Sequence, residues 1–154
     1  MNQSESCVAH IDILGMSKLV EKNFDDAWGV LSDLVHVRNE QRFNQYEFTD
    51  KGEIFKVAEN IHFITFSDTL FLFTNSTSPI ELKSLIILVT EIFHKALFNC
   101  VPVRAGIGLG RFNVNFEESM FAGPALIDAY YAGENAKWLG ITFSEPAGKA
   151  ASTK

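Results

Sequence analysis

Cysteine is almost missing: Cys7 and Cys100 are the two present in 154 residues. Neither a disulfide framework nor an all-cysteine zinc site can be built from them. Long apolar runs are missing too. The longest, Leu85 to Val89, is far shorter than the ~20 residues a membrane-spanning helix needs. The chain start, MNQSESC, lacks the apolar centre of a signal peptide, so a cytoplasmic protein with no membrane partner is expected. Basic charge is in deficit, with 13 Lys and Arg against 19 Asp and Glu and a formal net charge of −6. No broad positive field exists to attract phosphate backbones, which argues against a general nucleic-acid binder. The four histidines, His10, His36, His62 and His94, share no zinc-like spacing.

Apolar surface is what the chain has in quantity. Hydrophobic residues make up 47% of it, with 14 Phe, enough for one domain with a real core and for an apolar interface. No repeat and no inter-domain linker is visible.

Residues 6–14 read as a buried strand ending at Gly15. NFDDAWGVLSDLVHVRNEQRF follows with apolar residues at helical spacing, and Asp25 reads as its N-cap. NQYEFTDKGEIFKV reads as a short strand and a turn at Asp50, Lys51 and Gly52. NIHFITF and TLFLFT, separated by Ser67 and Asp68, form a β-hairpin with Asp68 at or beside its tip. The next helix carries a capping box, Ser78 with Glu81, and Pro79 at its first position. In VPVRAGIGLGRF, Gly106, Gly108 and Gly110 alternate, so one strand face is bare backbone, approached closely by another element or a ligand. GPALIDAYYAGENAKWL is a helix weakened by Gly133, and GITFS is a closing strand. The expected architecture is α+β: one mainly antiparallel sheet with helices packed on one face. Residues 1–145 form the domain and 146–154 a loose tail.

Asp12 is the residue that asks for an explanation. It lies between Ile11 and Ile13 in an apolar strand, where an unpaired charge is costly. It has either a structural partner or a ligand. If the first strand lies beside the hairpin, Asp12 and Asp68 meet at one end of the sheet. Paired carboxylates of this kind suit hard divalent cations, at about 2.1 Å for Mg²⁺, and two bridged ions form the usual clamp for in-line nucleotidyl transfer. A buried aspartate that caps a loop is the structural alternative for each one.

IDILGMS, FSDTLFLF, VPVRAGIGLG and GPALIDAYYAGENAKWLGITFSE, taken in order, resemble the catalytic domain of class III nucleotidyl cyclases over about Val8 to Glu145. That family's first strand reads aspartate, a hydrophobic residue, then Gly-Phe-Thr or Gly-Phe-Ser; here Asp12 and Ile13 lead through Leu14 to Gly15, Met16 and Ser17. Its hairpin Gly-Asp is Ser67-Asp68, and its Arg-x-Gly-Ile-x-x-Gly strand is matched by Arg104, Gly106, Ile107 and Gly110. The resemblance implies a ferredoxin-like cyclase fold. It implies two Mg²⁺ or Mn²⁺ ions held by Asp12, Asp68 and the Ile13 carbonyl. It also implies a triphosphate cradled by the N–H groups of Leu14 to Ser17, and a homodimer with sites between its subunits.

Other family positions differ. The late helix normally carries Gly-Asp-x-x-Asn-x-x-x-Arg; counted from Gly123, the Asn and Arg positions hold Ile127 and Tyr131, and neither replaces a guanidinium. The purine-selecting pair is replaced by Ile64 and Met120. This combination resembles the bacterial anti-phage pyrimidine cyclases of the Pycsar group. The resemblance implies conversion of UTP or CTP to a 3′,5′-cyclic monophosphate that a separate effector protein senses. The alternatives are a degenerate cyclase-fold binding or dimerisation module, and a purine cyclase.

Arg104 is either a structural ion-pair partner or a fork for a pyrimidine or phosphate. Tyr46 either packs at the surface or contacts a base. His10 shares a strand face with Asp12, Lys137 ends the late helix, and Tyr130, Tyr131 and Trp138 suit core or dimer packing. GIGLGRF is not a dinucleotide fingerprint, because no helix opens where the pyrophosphate would sit.

Overall fold

The computed structural model describes residues 4–41, 44–48, 52–57 and 59–153. In chain order the elements are β1 (Glu5–Ile13), α1 (Met16–Lys22), α2 (Phe24–Gln41), β2 (Gln45–Phe48), β3 (Glu53–Lys56), β4 (Ile61–Phe66) and β5 (Thr69–Thr74). They continue with α3 (Pro79–Phe98), β6 (Val103–Arg111), β7 (Asn113–Asn115), β8 (Met120–Ala122), α4 (Pro124–Asn135), β9 (Gly140–Phe143) and α5 (Glu145–Ser152). A five-stranded sheet runs β4-β5-β1-β6-β9. Every pairing in it is antiparallel except β6 with β9. The expected α+β class with a mainly antiparallel sheet is what is found.

β1 takes the central place. Cys7, Ala9, Ile11 and Ile13 of β1 face the main core, which α2, α3 and α5 supply with Leu34, Leu85, Leu88, Ile92 and Ala147. Val8, on the opposite face, joins Phe73, Phe112 and Ala125 in a second, smaller core. Strand alternation sets this division. The placement of helices therefore needs one correction: α4 lies on the face opposite α3. The alternating glycines of β6 make that possible. A Cβ on Gly106 would sit 1.8 Å from the Ala129 carbonyl oxygen, and one on Gly108 2.2 Å from that of Ala125. The bare strand face is approached by another element, helix α4.

Half of the capping box of α3 is present: Ser78 Oγ accepts from the Glu81 N–H at 3.3 Å, but the Ser78 N–H donates to Ser76 Oγ at 3.2 Å, and that hydroxyl takes up the Glu81 carboxylate. Three local readings change. Asn23, not Asp25, caps α2, accepting from the Asp26 N–H through its side chain at 3.2 Å. The tail read as loose is helical from Glu145 to Ser152, because Ser144 caps it and Ala147 is buried in the main core. The small β7–β8 hairpin was not visible because each of its strands is only three residues long. Asp50 and Lys51, expected in a turn, lie outside the described residues. Among the described residues, no helix is long and apolar enough to cross a membrane.

Candidate active site

The site is built where β1 ends beside the β4–β5 turn. Asp12 stands directly across from Thr69 on one side and Arg104 on the other, so its side chain is on the α4 face with theirs. Asp68 follows in the turn. Its backbone carbonyl accepts from the Ile13 N–H at 2.9 Å, and Thr69 Oγ1 donates to its Oδ1 at 3.4 Å. The antiparallel ladder thus brings both aspartates to one end of the sheet. Ser67 holds the turn with φ 56, a left-handed conformation that favours the glycine the cyclase pattern has there.

Arg104 joins the carboxylates. Its Nη2 lies 2.8 Å from Glu134 Oε1 and 3.5 Å from Asp12 Oδ2. Glu134 reaches this position because α4 seats its backbone on β6: a Cβ on neighbouring Gly133 would meet the Gly106 nitrogen at 3.3 Å. His10 lies one rung inward, edge-on to Phe71 at 5.3 Å and Tyr130 at 5.2 Å. Burial holds its imidazole below the ordinary value, while the charges of Asp12, Glu134 and Asp68 pull the other way. Three carboxylates therefore act on one half-buried ring.

Past Asp12 the chain turns into α1 through Gly15, whose φ of 75 suits glycine. The expected row of free N–H groups from Leu14 to Ser17 is one shorter. Leu14 donates to the Pro102 carbonyl at 2.9 Å, while among the described residues no acceptor takes the N–H of Gly15, Met16 or Ser17. Asp12, Asp68 and the Ile13 carbonyl offer hard oxygen donors of the kind Mg²⁺ and Mn²⁺ prefer. Among the described residues no group of three or more His, Cys, Asp and Glu side chains could hold an ion, so further ligands would be carbonyls, water or substrate.

Two apolar hollows open on the same face. One of about 640 Å³ is lined by Ile64, Phe66, Phe71, Phe73, Phe116 and Leu126, among others. A shallower one of about 380 Å³ holds His10, Phe71, Ile127, Tyr130 and Tyr131. Ile127 and Tyr131 are 56% and 55% exposed, so the positions that differ from the cyclase pattern face outward beside the site. Met120 is exposed at the start of β8.

Tyr46 is not brought to this cluster. Its ring stacks on Phe55 at 6.0 Å and its hydroxyl donates to Gln41 at 3.3 Å, against the main core. Phe63 packs against the main core, whereas Phe66, at the end of the same strand, lines the larger hollow. Lys137 is exposed just past α4. The residue that sequence reasoning missed is Glu134. Its only signal was the adjacent Gly133, a small residue that lets α4 approach the strand bearing Arg104.

No family model matches the sequence, and no curated protein matches it. Solved structures do match in fold. The catalytic core of a rhodopsin-guanylyl cyclase with converted specificity, in complex with ATPαS, is 13% identical, with a TM-score of 0.71 covering 99% of this chain and 83% of that one. A bacterial light-regulated adenylyl cyclase is 13% identical at a TM-score of 0.67, over 99% of this chain and 46% of that one. A class III adenylyl cyclase-like ATP-binding protein from Pseudomonas aeruginosa is 13% identical at 0.60, over 98% of this chain and 35% of that one. The sheet order, the helices on its two faces and these likenesses agree: the chain has the fold of a class III nucleotidyl cyclase catalytic domain.

Proposed function

We propose that this chain is a metal-dependent nucleotide cyclase that converts UTP or CTP to the 3′,5′-cyclic monophosphate and pyrophosphate. The observation that carries the proposal is the meeting of Asp12 and Asp68 at one sheet end, tied through the Asp68 carbonyl and the Ile13 N–H. Asp12, Asp68 and the Ile13 carbonyl would hold two Mg²⁺ or Mn²⁺ ions. The chemistry supplied by those ions when bound would be activation of the ribose 3′-hydroxyl and charge neutralisation at the α-phosphate.

The chain's own groups supply the rest. The N–H groups of Gly15, Met16 and Ser17 offer donors to the outer phosphates. Arg104, beside Asp12, would meet phosphate rather than the base. Base choice then falls to the larger hollow, whose phenylalanines can stack on a planar ring. Ile64 in its wall cannot give the directional hydrogen bonds that read a purine edge, and neither can exposed Met120. Phe66, 77% exposed at the hairpin end, with Ile127 and Tyr131, offers the apolar face a homodimer would cover. The product would serve as a second messenger for a separate sensing protein, as in the anti-phage group that the sequence resembles.

A degenerate, nucleotide-binding or dimerising module is the second reading. It is favoured by Ile127 and Tyr131, which leave α4 without a cation for the transition state. Incubating the purified protein with all four nucleoside triphosphates and Mn²⁺, followed by mass analysis, tests both. Cyclic UMP or cyclic CMP is the expected dominant product. Dominant cyclic AMP or cyclic GMP would overturn the pyrimidine assignment, and no product from a folded dimer would favour the module.

A further inference from the structure

Arg104 and Glu134 form the shortest ion pair of the cluster, and its geometry is uneven. A single nitrogen, Nη2, serves two carboxylates, with Glu134 at 2.8 Å and Asp12 at 3.5 Å. Charge-assisted hydrogen bonds of this type settle at about 2.7–2.9 Å. Glu134 therefore has the full bond and Asp12 only a loose one. The Arg104 Nε is buried with no acceptor among the described residues, so nothing else anchors the guanidinium. All three side chains keep some exposure, 21% for Arg104, 23% for Asp12 and 36% for Glu134.

We propose that Glu134 is a positioning residue that holds Arg104 off Asp12, keeping that carboxylate open to a divalent cation. The inference rests on the reading of Asp12 as a cation ligand. Without Glu134, Arg104 has Asp12 as its remaining carboxylate, and the pair closes. A cation arriving at Asp12 must then displace a guanidinium that has no other place to go. With Glu134 present, Arg104 gives up the longer contact and keeps the shorter one, so displacement costs little. Two glycines fix the height of this arrangement, since Gly106 and Gly133 let α4 lie directly on β6.

Mn²⁺ binding to the full, nucleotide-free protein tests the role by paramagnetic resonance, with four proteins in a double-mutant cycle. They are the wild type, Glu134→Gln, Arg104→Met and the double variant. Glu134→Gln should weaken Mn²⁺ binding about five- to tenfold, and Glu134→Asp should restore part of it. Removing a negative charge also weakens cation binding through space, and the Arg104→Met background separates the two effects. There, Glu134→Gln should change binding by less than about twofold. An equal factor in both backgrounds, or no change on Glu134→Gln, overturns the positioning role and leaves the cyclase reading standing. A wild type that binds no Mn²⁺ overturns both. Thermal melts of each variant identify any loss of fold, and Glu134→Asp keeps the test open if Glu134→Gln does not fold.

Discussion

The backbone carbonyl of Asp68 accepts the N–H of Ile13 at 2.9 Å, so the residue next to Asp12 is fastened to the second aspartate by main chain alone. The scaffold of the two carboxylates does not depend on their side chains. Asp12→Asn and Asp68→Asn should each fold, with melting temperatures within a few degrees of the wild type or above it, since repulsion between like charges falls. On the proposed function, cyclisation should drop by about 10³-fold or more, because each carboxylate would anchor the charge that balances the transition state. Product mass analysis and thermal melts read the two effects separately. Full activity in either folded variant rejects the assignment.

Gly106 is required by space. The 1.8 Å between its would-be Cβ and the Ala129 carbonyl oxygen leaves backbone, not a flexible side chain, to move. Gly106→Ala should lower stability by about 3 kcal/mol or more as α4 lifts from the sheet. Urea unfolding gives the value, and a loss under about 1 kcal/mol would contradict the close seating of α4 on β6.

Ser67 offers the opposite change. It holds a left-handed φ of 56 at an exposed turn position, where a side chain costs about 1 kcal/mol relative to glycine. Glycine pays more entropy on ordering, which offsets part of the gain. Ser67→Gly should therefore raise stability by about 0.5 kcal/mol and leave Asp68 in place. A fall in the urea midpoint would show that the Ser67 side chain has a role that the backbone geometry does not reveal.

The order of the main elements, β1, α2, β4, β5, α3, β6, α4 and β9, was legible because apolar patterning is local: the apolar run of β1 and the stripe of α3 both survive in the folded protein. Asp12 and Asp68 could be paired from sequence because one lies near the end of a strand and the other in a hairpin turn. Tyr46 could not be placed, since its partners, Phe55 and Gln41, depend on how the small β2–β3 sheet packs. Glu134 was hidden for a similar reason. Its relation to Arg104 spans 30 residues and exists only because α4 crosses to the opposite face. The tail misled through composition: small polar residues read as loose, yet Ser144 caps them and one alanine is buried.

Cys7 and Cys100 should behave as two unlike thiols. Cys7 is fully buried in β1, whereas Cys100 is exposed after α3. Burial raises the Cys7 thiol from its ordinary 9.0 to about 11, with the Thr74 hydroxyl pulling it down and the Glu81 charge pushing it up. A disulfide reagent at pH 8 should therefore modify one thiol per native chain, Cys100, and reach Cys7 only on unfolding. The same shift links folding to pH. The folded thiol holds its proton more tightly than the unfolded one, so its contribution is fully present below pH 9.0 and declines as pH rises toward about 11. Across that window the stability of the wild type relative to Cys7→Ala should fall by about 1.4 kcal/mol per pH unit. Comparing the two proteins by urea unfolding between pH 8 and about 10.5 cancels the groups they share. Equal reaction of both thiols in the native protein, or a difference that stays flat with pH, would mean that β1 opens to solvent at Cys7.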